Sequence, residues 1–276
     1  MSYTRALTSL SGAVRRRVVG LIGGGKGTMA VEYVRIYDHS LFSLVILSEA
    51  AKSVQVVGVT TMNSKAAHYI DTSKELRDLM GDPMELAARK SIPRLDRYSK
   101  EYICRSPFVC IGSADENGKA DVSPRGDPPG FVQVLDDNTL FIPDRPGNKR
   151  VDTMSNIISN PNIALLFLIP GFDDTLRVNG RAEVIRDDSL NAKSVVKGKK
   201  PTVGIKMHVE QVFFHCSKAF KRSGLWDADN RQDRTEMPSI GRMILEQTAE
   251  PTSIISEAEF EEVDKFVEDG YRENLY

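Results

Sequence analysis

Residues 120–180 read ADVSPRGDPPGFVQVLDDNTLFIPDRPGNKRVDTMSNIISNPNIALLFLIPGFDDTLRVNG. Two patterns within this stretch decide the fold. Thr139 to Pro143 is a short apolar run that ends in a proline, and Ile163 to Ile169 is apolar on both faces. The first run predicts a strand that stops at a loop, and the second predicts a central strand covered on both sides. The stretch therefore predicts a mainly β (β+α) fold built from short strands.

A basic loop, Asp144-Arg-Pro-Gly-Asn-Lys-Arg150, follows the first run and leads into a helix predicted from Arg150 to Ser159. Backbone N–H groups at the start of a helix are unpaired and partly positive. Asn148 is the predicted cap of this helix, and Lys149 and Arg150 add positive charge at the same point. The loop is therefore a candidate phosphate site, and the alternative is a solvated basic turn.

Alternating side chains predict further strands on both sides of this loop. After Thr175, apolar residues alternate with Arg177, Asn179, Arg181 and Glu183, which is typical of a barrel strand with one wet or ligand-facing side. Asp115-Glu-Asn-Gly118 has the chemistry of a hairpin turn. Capping-box patterns at Thr72 and Ser256 predict helices before and after the sheet. The remaining predicted strands are Phe108 to Ser113, Lys119 to Pro124, Phe131 to Leu135 and His208 to Cys216.

The composition is that of an ordinary globular chain. It has 276 residues, 41% of them hydrophobic, and a formal net charge of −1, so the bulk charge does not favour nucleic acid or an anionic membrane as a partner. No apolar run approaches the roughly 20 residues of a membrane span. The three cysteines lack metal-ligand spacing and are predicted to be small buried thiols in a reducing compartment. His208 and His215 fall on opposite faces of the strand pattern, so no metal site is predicted.

The first 31 residues are basic and contain no acidic residue, which is typical of an organelle transit peptide. The alternative is an over-extended translation start, because Met29 and Met62 offer later starts. The expected location is mitochondrial in the first case and cytoplasmic in the second. Gly20 to Thr28 has the glycine and lysine spacing of a P-loop, but Gly27 stands where that motif needs Ser or Thr. We interpret these glycines as a flexible linker.

Several segments together resemble the FMN-binding split β-barrels of the pyridoxamine 5′-phosphate oxidase-like superfamily, and more closely its subgroup of FMN-dependent enzymes of unknown substrate. The resemblance runs from about Thr72 to Tyr276. It rests on Ser106-Pro-Phe-Val-Cys-Ile111, Ser123-Pro-Arg-Gly-Asp127, the basic loop, Asn160-Pro-Asn-Ile-Ala-Leu-Leu-Phe167 and Thr175-Leu-Arg-Val-Asn-Gly180. It implies a split barrel over 106–218, a helical lead-in over 66–105, a C-terminal helical segment over 219–276, and an unmatched extension over 1–65.

The resemblance also implies FMN as cofactor, held between the two subunits of a homodimer. The implied cofactor contacts are Ser123, Arg125, Ile142, Pro143, Asn148, Lys149, Arg150, Thr175 and Arg177, with Thr175 reaching the flavin of the neighbouring subunit. Arg125, Lys149 and Arg150 are the phosphate candidates. Arg177 begins a polar strand face that suits an anionic substrate or a nicotinamide phosphate.

The resemblance departs from the oxidase proper at two points. Ala120 stands where that enzyme has an arginine, and its Arg-Leu-His-Asp-Arg segment is missing, so oxidation of pyridoxamine phosphate is not expected. His215-Cys-Ser-Lys-Ala-Phe-Lys-Arg222 stands there instead, and its Lys218 and Arg222 are either near the cofactor or a plain charge cluster. Two functions remain: an FMN-dependent oxidoreductase acting on a small molecule, and a protein that carries, stores or senses FMN without turnover.

Overall fold

The computed structural model describes residues 15–23, 28–36 and 68–276. These described residues fall into two compact units, which divide between Asp82 and Pro83. In the first unit, β1 (Arg15–Gly23) and β2 (Thr28–Ile36) pair in antiparallel orientation, and α1 (Ser73–Met80) is capped by Thr72. The flexible-linker interpretation is wrong for Gly20 and Gly23, which lie in β1. Residues 24–27 of the same interpretation lie outside the described residues. The many β-branched residues around these glycines favour a strand. The rest of the predicted 1–65 extension lies outside the described residues.

The second unit contains one seven-stranded sheet in which every neighbouring pair is antiparallel, in the order β4-β3-β7-β8-β9-β6-β5. This is the predicted split barrel with flanking helices. Among the described residues, no helix is both long enough and apolar enough to cross a membrane. The elements are α2 (Glu85–Arg89), α3 (Arg97–Arg105), β3 (Phe108–Ala114), β4 (Ala120–Gly126), β5 (Gln133–Val134), β6 (Thr139–Pro143), α4 (Asp152–Ser159), β7 (Asn162–Leu168), β8 (Thr175–Ile185), α5 (Asp188–Lys193), β9 (Gly204–His215), α6 (Lys218–Ser223), α7 (Ile240–Thr248) and α8 (Glu257–Glu273).

The core lies on the inner face of this sheet. On β7, Ile163, Leu165 and Phe167 are buried, whereas the alternate residues are partly exposed. The prediction that this run is covered on both faces is therefore only half right. The outer face of the sheet stays partly open in the single chain. The alternation predicted along β8 is confirmed, because its apolar residues point inward and its charged residues point outward.

A bulge in β9 changes the face of one predicted residue. His208 pairs with Arg181 and His215 pairs with Thr175, and the register shifts between Asn179 and Gly180. Paired residues share a face, and an extra residue in one strand reverses the alternation beyond it. The two histidines therefore lie on the same exposed face, and the prediction of opposite faces is wrong.

A glycine on β9 makes room for the strand that leads into the basic loop. Phe141 on β6 is completely buried, and its ring occupies the space in which a side chain at Gly204 would stand. Gly204 pairs with Pro143. The ring thus holds the end of β6 against β9, and this contact fixes the point at which the basic loop leaves the sheet.

The predicted burial of the cysteine thiols is wrong. Cys104 and Cys216 are exposed, and Cys110 is partly buried on the outer face of β3. Cys104 lies on the outward side of α3, and Cys216 lies just past the end of β9. Burial raises the pKa of Cys110. A hydrogen bond from the Lys218 backbone is the main reason that the pKa of Cys216 is lowered.

Candidate functional site

A cavity of about 380 Å³ lies where β4, β6 and the start of α4 meet. The basic loop forms most of one wall. The volume is within the range of about 300 to 1,000 Å³ that is common for small-molecule sites. Its lining combines cations, one carboxylate and several apolar side chains: Pro124, Arg125, Gly126, Phe131, Pro143, Asp144, Arg145, Pro146, Gly147, Asn148, Lys149, Val151 and Met154.

The basic loop is held in an unusual backbone conformation. Lys149 has a φ of 60° and Val151 has a φ of 53°, and both values lie in the left-handed region. That region costs roughly 1–2 kcal/mol for a residue with a side chain, and it is rarest for β-branched residues such as valine. Backbone strain of this kind is concentrated at ligand-binding loops.

The helix after the loop starts without a side-chain cap. α4 begins at Asp152, and its N-cap residue Val151 makes no side-chain hydrogen bond to the helix. Asn148 accepts a hydrogen bond from the Arg150 backbone at 3.0 Å instead. The predicted helix start at Arg150 and the predicted cap at Asn148 are therefore wrong. The first N–H groups of α4 remain available to an anion, as in known phosphate sites.

Charges of both signs meet inside the cavity. Burial raises the pKa of the Asp144 carboxyl, and the nearby Arg125 and Arg145 oppose that rise. Lys149 has no acidic side chain within 4.0 Å among the described residues. Its charge is therefore available to a ligand. A carboxyl with a raised pKa in a cavity is a common mark of a functional site.

Arg145 stands between this cavity, named the large cavity only in contrast to its neighbour, and a smaller one of about 170 Å³. Its Nε donates to Asp127 Oδ2 at 2.5 Å, and the Asp127 side chain is only 1% exposed. The other carboxylate oxygen of Asp127 accepts a hydrogen bond from the Tyr276 hydroxyl at 2.9 Å. The orientation of Arg145 is therefore set by a buried carboxylate that itself has two partners.

Seven of the predicted contacts lie in or near the large cavity. Arg125, Pro143, Asn148 and Lys149 line it. Ser123 shares the inner face of β4 with Arg125, but its hydroxyl donates to Asp121 at 3.1 Å. Ile142 is buried in the core beside Pro143. The side chain of Arg150 is 72% exposed and forms an ion pair with Asp152 at 2.7 Å.

The other two predicted contacts lie elsewhere. Thr175 is buried at the start of β8, opposite His215. The Arg177 guanidinium lies 5.0 Å from the centre of the Phe213 ring, which also has Lys90 over it at 5.2 Å. A single chain therefore does not bring Thr175 and Arg177 to the cavity wall. The role of Thr175 as a contact from the neighbouring subunit, and that of Arg177 as a cofactor contact, stay predictions.

The structure adds residues that the sequence reasoning missed. Asp144 and Arg145 belong to the basic loop, so the loop prediction contained them without giving them a role. Phe131 and Met154 supply apolar wall area from a short loop and from α4. Nothing in their local sequence marks them as site residues. Thr153, in the first turn of α4, has a buried hydroxyl with no hydrogen-bond partner in the part of the chain that the structure describes.

Comparison with known proteins gives one family and several distant structures. Residues 95–216 match the family model described as pyridoxamine 5′-phosphate oxidase, a shorter range than the resemblance predicted. None of the curated proteins matches the chain. HupZ of Group A Streptococcus is 18% identical, with a TM-score of 0.37 over 44% of this chain and 93% of its own. General stress protein 26 of Bacillus anthracis is also 18% identical, with a TM-score of 0.32 over 42% and 88%. An FMN-binding protein of Syntrophomonas wolfei is 12% identical, with a TM-score of 0.33 over 42% and 88%.

The match covers every strand of the seven-stranded sheet and the whole wall of the large cavity. Residues 95–216 are therefore the part of the chain that is similar to the pyridoxamine 5′-phosphate oxidase family, and they fold as the split β-barrel.

Proposed function

We propose that the large cavity binds FMN and that the protein is an FMN-dependent oxidoreductase. The observation that carries this proposal is that Lys149, which has no acidic partner among the described residues, and the uncapped start of α4 lie in one cavity wall. A family that commonly binds flavin supports the same choice of ligand. The departures at Ala120 and in the missing C-terminal segment argue against pyridoxamine phosphate as the substrate.

The phosphate of FMN fits the loop end of the cavity. Lys149 offers a point charge, and Arg125 offers a planar fork of donors. The N–H groups at the start of α4 add hydrogen bonds directed at the same place. Arg150 is less suited to this role, because its guanidinium is exposed and already paired with Asp152.

The ring system of FMN fits the apolar part of the cavity. Phe131, Pro143 and Met154 supply apolar wall there, and Arg125 and Asp144 supply polar groups. When bound, the isoalloxazine itself supplies the hydride or electron transfer, so the protein has to hold it and exclude water. Asp144 can hold or release a proton beside the ring, because burial raises the pKa of its carboxyl.

We also propose a homodimer, because the outer face of the sheet carries a continuous row of paired residues. The row crosses five strands and consists of Pro124, Cys110, Leu166, Arg177 and Phe213. Four strand spacings of about 4.8 Å separate its ends by roughly 19 Å. With a two-fold axis along β7, Pro124 of one subunit would face Phe213 of the other, and Cys110 would face Arg177. Arg177 would then approach the neighbouring cavity.

A titration of flavin-free protein with FMN tests the proposal. We expect stoichiometric uptake, and we expect Lys149→Ala to weaken binding roughly 10- to 100-fold, because a hydrogen bond to a charged group contributes about 1.5–3 kcal/mol. Arg150→Ala is the matched control and should change the affinity less than about threefold. Absence of FMN uptake, or equal loss in both variants, would contradict the proposed site.

Anaerobic addition of NADH or NADPH then separates catalysis from simple binding. Bleaching of the yellow protein by a reductant supports the oxidoreductase. A protein that binds FMN tightly but stays yellow with every reductant tried is the alternative: a protein that carries, stores or senses FMN. The same measurement on Arg177→Ala tests whether the polar face of β8 takes part.

A further inference from the structure

We infer that the slot now filled by the Tyr276 side chain is a binding site for a planar aromatic ring that bears a hydrogen-bond donor, such as a phenol. Tyr276 acts as an internal ligand that such a molecule displaces. The inference deepens the proposed function, because it assigns a substrate class to the region beside the proposed flavin cavity. It rests on that proposal for the role of the ring, but not for its binding.

The slot recognises each part of a phenol. Asp127 accepts a hydrogen bond from the Tyr276 hydroxyl at 2.9 Å. The Arg145 guanidinium lies 5.6 Å from the centre of the ring, and the Lys197 ammonium lies 5.2 Å from it. A cation within about 6 Å of the centre of an aromatic ring is attracted to the negatively polarised face of the ring, which is a cation–π interaction. A ring with one donor is therefore bound by two cations and one carboxylate.

Two parts of the slot, the Asp127–Arg145 pair and the turn at Lys197, are held in place by contacts that do not involve a ligand. The Asp127 side chain is 1% exposed and is fixed by Arg145, whose own side chain is 14% exposed. Lys197 stands at the tip of a tight turn that Val196 and Lys199 close with two backbone hydrogen bonds. The φ of Lys197 is 48°, so the turn keeps a strained conformation that directs this lysine. Rigid elements of this kind lower the entropic cost of binding.

The slot lies next to the large cavity. Asp127 and Arg145 both line the smaller cavity, and Arg145 and Phe131 line both cavities. A ring in the slot would therefore share Arg145 with a molecule in the large cavity. This position suits a substrate that meets a bound cofactor at a common wall.

Tyr276 is attached in a way that permits its release. α8 ends at Glu273, and the residues after it belong to no helix or strand. The neighbouring Leu275 is 56% exposed. Displacement of Tyr276 therefore needs no core side chain to move, and the free hydroxyl of a ligand replaces the hydroxyl that leaves.

The test measures the binding of p-cresol, which is the isolated side chain of tyrosine, to flavin-free protein by calorimetry. We expect p-cresol to bind Tyr276→Ala at least tenfold more tightly than the wild-type protein. Toluene has the same ring without the hydroxyl and should bind neither. The double variant Tyr276→Ala with Asp127→Leu should lose the p-cresol site, because leucine offers no hydrogen-bond acceptor.

Equal affinity of p-cresol for wild type and Tyr276→Ala, or binding that survives Asp127→Leu in the double variant, would overturn the inference. If the double variant does not fold, Tyr276→Phe decides the question, because it keeps the ring and removes only the hydroxyl. Its affinity for p-cresol should lie between those of wild type and Tyr276→Ala, and a value equal to wild type would contradict the slot. Because FMN is absent, failure of the flavin proposal leaves this result unaffected, and failure of the slot leaves the flavin titration unaffected.

Discussion

Replacing Gly204 with alanine should destabilise the barrel, and with it the end of β6 from which the basic loop leaves the sheet. The added Cβ would overlap the Cζ and Cε2 atoms of the Phe141 ring and would lie 2.9 Å from the carbonyl oxygen of Ile142. Phe141 is 0% exposed, so its ring has no open space into which it can turn. Overpacking of a core costs about 1–3 kcal/mol, and overlap with both a ring and a carbonyl places this change near 3 kcal/mol.

Urea unfolding measures this loss as a lower midpoint with an unchanged slope. Gly112→Ala is the matched control. Its Cβ would lie 3.6 Å from the Ala164 carbonyl oxygen, which is an ordinary contact, so its stability should stay within about 0.5 kcal/mol of wild type. Phe141→Leu should recover part of the loss when combined with Gly204→Ala, because it shortens the overlapping ring. Equal midpoints for Gly204→Ala and wild type, or an equal loss in Gly112→Ala, would refute the reasoning.

Three further predictions concern the cavity, the outer face and the core. Asp144→Asn should tighten FMN binding roughly three- to tenfold at neutral pH, since it removes a partly screened negative charge facing Arg125 and Arg145. Because the pKa of Asp144 is raised, the affinity of the wild type for FMN should increase as the pH falls and the carboxyl takes up its proton. Fluorescence titrations at several pH values should show a weaker dependence of affinity on pH in the variant. Leu166→Glu should convert the proposed dimer to a monomer in light scattering, because it places a charge at the centre of the outer face, whereas a variant that remains dimeric would move the interface elsewhere. Tyr102→Phe should lower the free energy of unfolding by about 1–2 kcal/mol in urea, because the Tyr102 hydroxyl donates to the Asp174 carbonyl at 2.7 Å. In the wild type, burial raises the pKa of Tyr102 to about 12. A spectroscopic titration in which this phenol ionises near 10 would contradict the buried, hydrogen-bonded environment.

Much of the sheet could be predicted because the local pattern and the burial agree. β6 has the predicted bounds, Thr139–Pro143, and the alternation along β8 matches its inward and outward faces. β9 was predicted too short, since its first residues, from Gly204, carry glycine and charge that hide the strand pattern. α5 was not predicted, because its six residues are too few to show a helical period.

The sequence could predict the basic loop of the site, but not the residues that surround the loop. A run of charges after a short strand marked Lys149 as part of a loop at a helix start. The same run gave no sign that Val151 adopts a left-handed conformation, which moves the helix start to Asp152. Asp127 and Tyr276 are 149 positions apart. No local pattern can pair residues so distant, because only the folded chain brings them together.

The two residues with left-handed backbone conformations before α4, Lys149 and Val151, also affect how substitutions change the stability of this protein. Glycine at Lys149 or Val151 would relieve a cost of roughly 1–2 kcal/mol each, so a search for greater heat resistance would select such changes early. Each would also let the loop sample many shapes in the free protein, and binding would then have to restore order. In this strained loop, selection for higher stability and selection for tighter ligand binding therefore act in opposite directions.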